Sequence, residues 1–541
     1  MDFFKKKKQE SISKSKQSQQ SKDSNIENPL NNSLKENIQH IKEMLGNSKD
    51  IIIREIRIGK DGQIKAGIVY TDGLTDTKSI QHFILESLMV DIRETELDQE
   101  ASSKKDPIHL IKDIVLTAGD IQDVTDFDEL FYSLLSGNAI LLLDGYSQCF
   151  SIGMREWENR GVSEPADQTV IRGPREAFTE SLRMNTALIR RKIKDPHLWL
   201  ESKKIGKVTK TDIAIMYIKG IVNDKIVEEV HSRLNRIDTD GILESSYIEE
   251  MIQDKTFTLF PTIYNTERPD VVAASLLEGR VAIIVDGTPF VLIAPVIFSQ
   301  FYQSAEDYYQ RADFGTLIRF LRYLCFFIAL LGPSLYVAIT TFHQEMIPNQ
   351  LLISLAAQRE GVPFPAFIEA MIMEVTFEIL REAGVRMPRT VGQAVSIVGA
   401  LVIGQAAVEA GIISAAMVIV VAITAIASFA FPSFNMAISV RILRFILMGL
   451  AASFGLFGIT VGLIALVLHL CSLRSFGIPY MSPFAPFIIS DQKDTLFRFP
   501  RWGLLTRPRL ISQKNLKRQQ EPSLLKPDPN KDREMENEGD Q

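Results

Sequence analysis

Leu317-Ile-Arg-Phe-Leu-Arg-Tyr-Leu-Cys-Phe-Phe-Ile-Ala-Leu-Leu-Gly-Pro-Ser-Leu-Tyr-Val-Ala-Ile-Thr-Thr341 is apolar throughout, broken only by Arg319 and Arg322 near its start and by Gly332-Pro333 midway. A bilayer crossing takes ~20 such residues, so this stretch reads as one membrane span. The two arginines put its start on the cytoplasmic side by the positive-inside rule. Pro333 is tolerated in such a helix where neighbours satisfy the freed carbonyl, and it predicts a kink. Working outward, the chain divides into unlike halves. Nearly all charge lies before Asp313 and after Lys493, and the stretch between is apolar and rich in small residues. The formal net charge of −6 points to no nucleic-acid partner.

Downstream, Leu351–Ala383 is interrupted by Arg359-Glu360, Pro363 and Pro365, then continues as an amphipathic helix carrying Glu369, Glu374, Glu378 and Glu382. In lipid each carboxylate would cost a few kcal/mol, so this element must face water, protein or the interface. An interfacial or re-entrant element, or an acidic vestibule helix, is expected in preference to a plain span. Val391–Glu409 and Ile412–Phe431 read as a hairpin of small and β-branched residues, with Gly392, Ser396, Gly399 and Gly404 allowing close helix approach. A stripe at 3–4 spacing, Val391, Val395, Val398, Val402, Gln405 and Glu409, is either a packing face or a pore lining with an acidic mouth. In a cyclic oligomer Glu409 would form a carboxylate ring attractive to cations. Arg441 and Arg444 mark another cytoplasmic edge. Leu443–Leu470 then spans once or turns back within Gly449, Gly455, Gly458 and Gly462. The basic segment Arg498–Arg518 is expected to be cytoplasmic, with the crossings left at about four to six.

The N-terminal half folds differently. Ile51–Arg57 and Lys65–Tyr70 flank an Asp61-Gly62 turn and read as a β-hairpin. Ser79–Val90 has helical spacing. Asp128-Glu-Leu-Phe-Tyr-Ser-Leu-Leu-Ser-Gly137 runs into Asn138-Ala-Ile-Leu-Leu-Leu-Asp144-Gly145, and Asp270-Val-Val-Ala-Ala-Ser-Leu-Leu-Glu-Gly279 into Arg280-Val-Ala-Ile-Ile-Val-Asp286-Gly287. The two align without a gap, each an Asp-capped helix ended by Gly, a buried strand and an Asp-Gly turn. The fold class expected is an α/β soluble N-terminal region of two related subdomains plus an all-α multi-span membrane domain. Its divisions are a polar tail at 1–50, subdomains at 51–160 and 161–312, the membrane domain at 313–490, and a basic tail at 491–541.

The chemistry of an enzyme is not evident. The sequence has no phosphate-cradling Gly-rich loop, no histidine pair at ligand spacing and no nucleophile elbow. Asp144 and Asp286 each precede Gly and read as turn residues. Asp238-Thr-Asp-Gly241 lacks the further oxygen ligands of a calcium loop. Cys149, Cys325 and Cys471 are too scattered for a disulfide framework or zinc site and read as buried structural thiols. No cofactor, metal or catalytic residue is expected.

Several long motifs occur in one order: Ile171-Arg-Gly-Pro-Arg-Glu-Ala-Phe-Thr-Glu180, Thr266-Glu-Arg-Pro-Asp270, Glu306-Asp-Tyr-Tyr309, Pro333-Ser-Leu-Tyr336, Arg381-Glu-Ala-Gly384 and Val398-Gly-Ala-Leu-Val-Ile-Gly-Gln-Ala-Ala-Val408. Together they resemble the A-subunit family of spore germinant receptors, the GerA type, over roughly Asp113 to Ile489. The resemblance implies a complex in the spore inner membrane with a transporter-like B subunit and a lipoprotein C subunit, and a large N-terminal region on the cytoplasmic side. Small nutrients trigger such receptors and monovalent cations are released. The A subunit is held to oligomerise into the conducting part, and nutrient recognition is assigned mainly to the B subunit. Two other readings stay open from the residues alone: a secondary transporter binding the nutrient directly, and a non-conducting scaffold or signalling adaptor.

Overall fold

The Asp-Gly turns at 144–145 and 286–287 organise two sheets of one topology. The computed structural model describes residues 28–58, 64–81, 120–155, 164–165, 168–386 and 404–519. It forms two compact units, one of residues 1–161 with 183–202, the other of 162–182 with 203–541.

The first unit opens with helix α1 (Leu34–Met44), whose Leu34, Ile38 and Ile41 recur on one buried face. Strands β1 (Ile51–Ile58) and β2 (Ile64–Thr71) pair as an antiparallel hairpin, as the alternation predicts. Then follow β3 (Ile121–Val124), α2 (Phe127–Leu135), β4 (Ala139–Leu143) and β5 (Cys149–Ile152), in the sheet order β1-β2-β4-β5-β3. Ile140 and Leu142 pack with α1 and α2, and Leu141 and Leu143 with the opposite face, the period-2 alternation of a strand buried on both sides. Leu141 has no exposed surface, a burial that stabilises by about 1.5–3 kcal/mol.

The second set repeats this. Helix α3 (Leu182–Lys192) precedes β6 (Leu198–Ile205) and β7 (Thr211–Ile218). Helices α4 (Asp224–Asn235) and α5 (Ser245–Ile252), β8 (Tyr264–Thr266), α6 (Pro269–Leu277), β9 (Val281–Val285) and β10 (Val291–Ala294) follow, in the order β6-β7-β9-β10-β8. The shared hydrogen bonds confirm the repeat. Leu34 N donates to Asp144 Oδ1 at 3.0 Å and Leu182 N to Asp286 Oδ1 at 3.0 Å. Each aspartate thus satisfies a free N–H at the start of a helix distant in sequence, a second task beyond its turn. One detail differs from expectation. The cap of α2 is Asp126, which accepts from Glu129 N at 2.7 Å, and that of α6 is Arg268; Asp128 and Asp270 sit inside the first turn. With two aspartates spaced two apart, the sequence pattern does not separate cap from first-turn acid.

Helix α5 depends on a carboxylate cap. Burial alone would raise the Glu244 carboxyl, but hydrogen bonds from Ser246 N at 2.5 Å, Ser245 Oγ at 2.7 Å and Thr288 Oγ1 at 2.8 Å outweigh it and hold the group at about 2. Its stabilisation is present above the ordinary carboxylate pKa of about 4.5 and is lost as pH falls through about 2. Glu244→Ala is expected to lower stability at neutral pH by about 1–2 kcal/mol. The deficit relative to wild type should shrink in acid, as read by urea unfolding between pH 7 and pH 2.

Among the described residues two helices are long and apolar enough to cross a membrane: α7 (Ala312–Phe342) and α11 (Phe434–Ser472). Between them lie α8 (Asn349–Arg359), α9 (Ala366–Arg386), a helical segment at 404–409 and α10 (Ala415–Ser428). Helix α7 continues through Pro333. The prolines 363 and 365 separate α8 from α9, since Pro disfavours helix in the residue before it. Helix α11 is not straight. Gly455 takes φ 61° and ψ −142°, and a Cβ on Gly462 would lie 2.7 Å from Leu447 Cδ2. Fifteen residues of straight helix would separate those positions by about 22 Å. Ser439 Oγ donates to Leu259 O, and His469 Nε2 lies 2.9 Å from Thr258 Oγ1. Both ends of α11 therefore return to one loop, and the helix is a hairpin with its turn at Gly455. Of the two readings left open for Leu443–Leu470, the structure has the return.

Of the three thiols, Cys149 is buried, Cys325 half-buried and Cys471 exposed. The expectation of buried thiols holds for the first alone, because Cys471 lies on an outer face of the α11 hairpin. The expected helix at Ser79–Val90 falls mostly outside the described residues.

Candidate functional site

The helical bundle has a polar interior built by α9. Glu374 is fully buried and pairs with buried Arg444 of α11. One turn on, Glu378 Oε2 accepts from Arg441 Nη1 at 2.7 Å, and Arg381 Nη2 donates to Ser428 Oγ at 2.7 Å. Toward the start of α9, Glu369 Oε2 accepts from Ser414 N at 2.9 Å and from Ser414 Oγ at 2.8 Å, just before α10 begins. Arg359 Nε lies 3.5 Å from the other Glu369 oxygen. Glu382 is exposed and bonds Arg386. Of the requirement that these acids face water, protein or the interface, protein meets it at Glu369 and Glu374. Ala366 and Ala370 pack in one core with Val337, Met417, Val421 and Met448. Ionisable groups are retained inside an apolar bundle only with partners, and such sites are functional candidates by default. Glu374 Oε1 and Glu378 Oε1 accept no hydrogen bond among the described residues, and Glu378 Oε1 lies 3.7 Å from Arg381 Nη1.

A second cluster sits at the root of α7. Asp307 Oδ2 accepts from Arg319 Nε at 3.2 Å and from Arg322 Nη1 at 2.7 Å. Arg319 Nη1 also donates to the Asp494 backbone oxygen at 2.6 Å and its carboxylate at 3.1 Å, which Tyr308 Oη bonds at 2.9 Å. Arg319 and Arg322, read from sequence as markers of a membrane edge, are therefore pinned to the segments before and after the bundle. The sequence signal for this was the acidic Glu306-Asp307 pair one short loop upstream of the arginines. Asp494, across the whole bundle, had none.

The stripe expected to line a pore lies partly outside the described residues: Val391, Val395, Val398 and Val402 do so entirely. Gln405 and Glu409 are described, both exposed, on one face of the 404–409 helix, with Gln405 Nε2 donating to Glu409 Oε1 at 2.9 Å. Among the described residues no group of three or more His, Cys, Asp or Glu is arranged to hold a metal ion.

Comparison with known proteins finds relatives over most of the chain. The family described as Bacillus/Clostridium GerA spore germination protein matches residues 39–510. Spore germination protein KA of Bacillus subtilis is 54% identical over 514 residues, covering 94% of this chain and 92% of that protein. Spore germination protein GerLA of Bacillus cereus is 40% identical, covering 90% of this chain and 97% of its own length. The uncharacterized membrane protein YfkQ of Bacillus subtilis is 46% identical over 91% of this chain and 94% of its own length. The crystal structure of the N-terminal domain of the A subunit of the Bacillus megaterium spore germinant receptor GerK3 is 46% identical to this chain. It covers 51% of this chain and 99% of that domain, with a TM-score of 0.41. The match over nearly the whole chain makes the conclusion plain: the protein belongs to the GerA family of spore germination proteins, as an A subunit of a spore germinant receptor.

Proposed function

We propose that this A subunit oligomerises into a nutrient-gated, cation-conducting channel of the spore inner membrane, assembled with a transporter-like B subunit and a lipoprotein C subunit. The observation that carries it is Glu409, a carboxylate exposed on an otherwise apolar, small-residue helical region. Facing lipid it would be costly, whereas in a closed ring of copies it faces water and cations. Exposed Ile419, Ile426, Phe457 and Leu468 supply apolar surface for lipid or neighbouring copies.

Contacts within the helical region support a topology for this reading. Helix α7 leaves the root at Arg319, and its last residues meet the Gly455 turn, where a Cβ would lie 3.0 Å from Phe342 Cβ. Helices α9 and α10 both run back toward the root, since Glu369 meets Ser414 at their starts and Arg381 meets Ser428 near their ends. The α11 hairpin adds an outward and an inward arm. In this reading α7 leaves from the cytoplasmic side and the segment after Leu473 returns to it.

In this reading Val391, Val395, Val398 and Val402 form the constriction and Gln405 and Glu409 the mouth, while Glu369, Glu374, Glu378 and Glu382 brace it. Val402→Ala is expected to raise potassium release from dormant spores, and Glu409→Gln to slow cation release after nutrient is added. Wild-type release from both variants, at normal receptor levels, sinks the lining assignment.

A further inference from the structure

The repeat exposes an unusual position. Asn138 and Arg280 occupy the same place, directly after the Gly that ends a helix and before a central strand. In the first sheet the position is closed. Asn138 Nδ2 donates to Ser133 Oγ at 2.9 Å and Ser151 Oγ at 3.0 Å, and its oxygen accepts from Arg155 Nε at 2.8 Å. In the second sheet Ser151 and Arg155 are replaced at equivalent positions by Ile293 and Ile297. Arg280 is only 3% exposed and has one partner, Glu278 at 3.3 Å through Nη2; among the described residues its Nε and Nη1 have none. A buried guanidinium with unmet N–H groups is expensive, and burial lowers its pKa accordingly.

These groups line a cavity of about 40 Å³, together with Ser299, Gln303, Asp494 and Thr495. Ser299 Oγ is also fully buried and unpartnered among the described residues. The volume holds about three water-sized atoms, which is the size of a carboxylate. The carboxylates at its wall are already engaged: Asp494 by Arg319 and Tyr308, Glu278 by Arg280 and Arg518 at 2.9 Å, and Asp491 by Arg509 N at 3.0 Å. What is left open is a set of donors.

We propose that this cavity binds a small monovalent anion, of carboxylate or halide size, held by Arg280 Nε and Nη1 and Ser299 Oγ. Bound there, the anion ties Arg280, just before strand β9, to Ser299 in the segment leading to α7, so its occupancy stiffens the link between the second sheet and that segment.

The test uses the purified full chain in detergent, with thermal unfolding followed at equal ionic strength in sodium formate, sodium chloride or sodium gluconate. Formate should raise the Tm above gluconate, which is too large for the cavity. Chloride acting like formate supports the site and identifies the ligand as inorganic anion generally; chloride acting like gluconate supports it and restricts the ligand to carboxylates. Ser299→Ala removes one hydrogen bond to a charged group and should weaken the formate effect about tenfold in concentration. Arg280→Gln should abolish it, and Ser299→Ala keeps the test open if that variant does not fold. Equal Tm in formate and gluconate, or an unchanged formate effect in Ser299→Ala, overturns the proposal.

Discussion

Arg444→Met is expected to destabilise the helical bundle by about 3–5 kcal/mol. The substitution keeps the apolar stem and removes the charge that pairs with Glu374, a carboxylate with no exposed surface. Left alone, Glu374 would be an uncompensated ion among Val, Met and Ala side chains, the condition that makes breaking a buried pair far worse than replacing it. The double variant Glu374→Leu with Arg444→Met should therefore recover most of the loss, to within about 1 kcal/mol of wild type. Thermal unfolding of the purified protein in detergent reads both. A single variant as stable as wild type would mean that the pair is solvated and not interior.

Arg319→Met should have a comparable effect at the root of α7, again about 3–5 kcal/mol. Arg319 is buried and joins Asp307, Asp494 and the Phe497 carbonyl, so its loss strips two carboxylates of a partner at once. Arg322 still holds Asp307, whereas among the described residues the Asp494 carboxylate keeps only Tyr308. The damage should thus fall on the segment after the bundle. Hydrogen exchange by mass spectrometry is expected to show faster exchange around 489–498 than in the first sheet, and Arg319→Lys should restore only part of the protection, since an ammonium cannot span both carboxylates as a guanidinium does. Uniform exchange along the chain would count against this network as a local tie.

What could be read in the sequence were the features set by local rules. The hairpin at Ile51–Ile58 and Ile64–Thr71 follows from alternation, and the repeat from Gly and Asp-Gly punctuation at matching positions. The capping task of Asp144 and Asp286 was not legible, because its partners Leu34 and Leu182 lie more than a hundred residues away. The pairs of α9 and α11 were hidden for the same reason. Arg441 and Arg444 look like a membrane edge until Glu378 and Glu374 are seen opposite them. The return at Gly455 stayed open because hydropathy is blind to direction: both arms are apolar, and the contacts of position 462 with Leu447 and of both arms with Thr258 and Leu259 decide. Of the stripe from Val391 to Glu409, Gln405 and Glu409 fall among the described residues, and both are exposed.

Conduction itself is tested most directly by flux. The purified full chain would be reconstituted, as wild type, Val402→Ala and the double variant Val402→Ala with Glu409→Gln, into potassium-loaded liposomes, with oligomeric state checked by crosslinking. The channel account predicts potassium efflux from Val402→Ala above wild type, reduced when Glu409 is neutralised. Assembled oligomers that release no more potassium than protein-free liposomes in any of the three would contradict it.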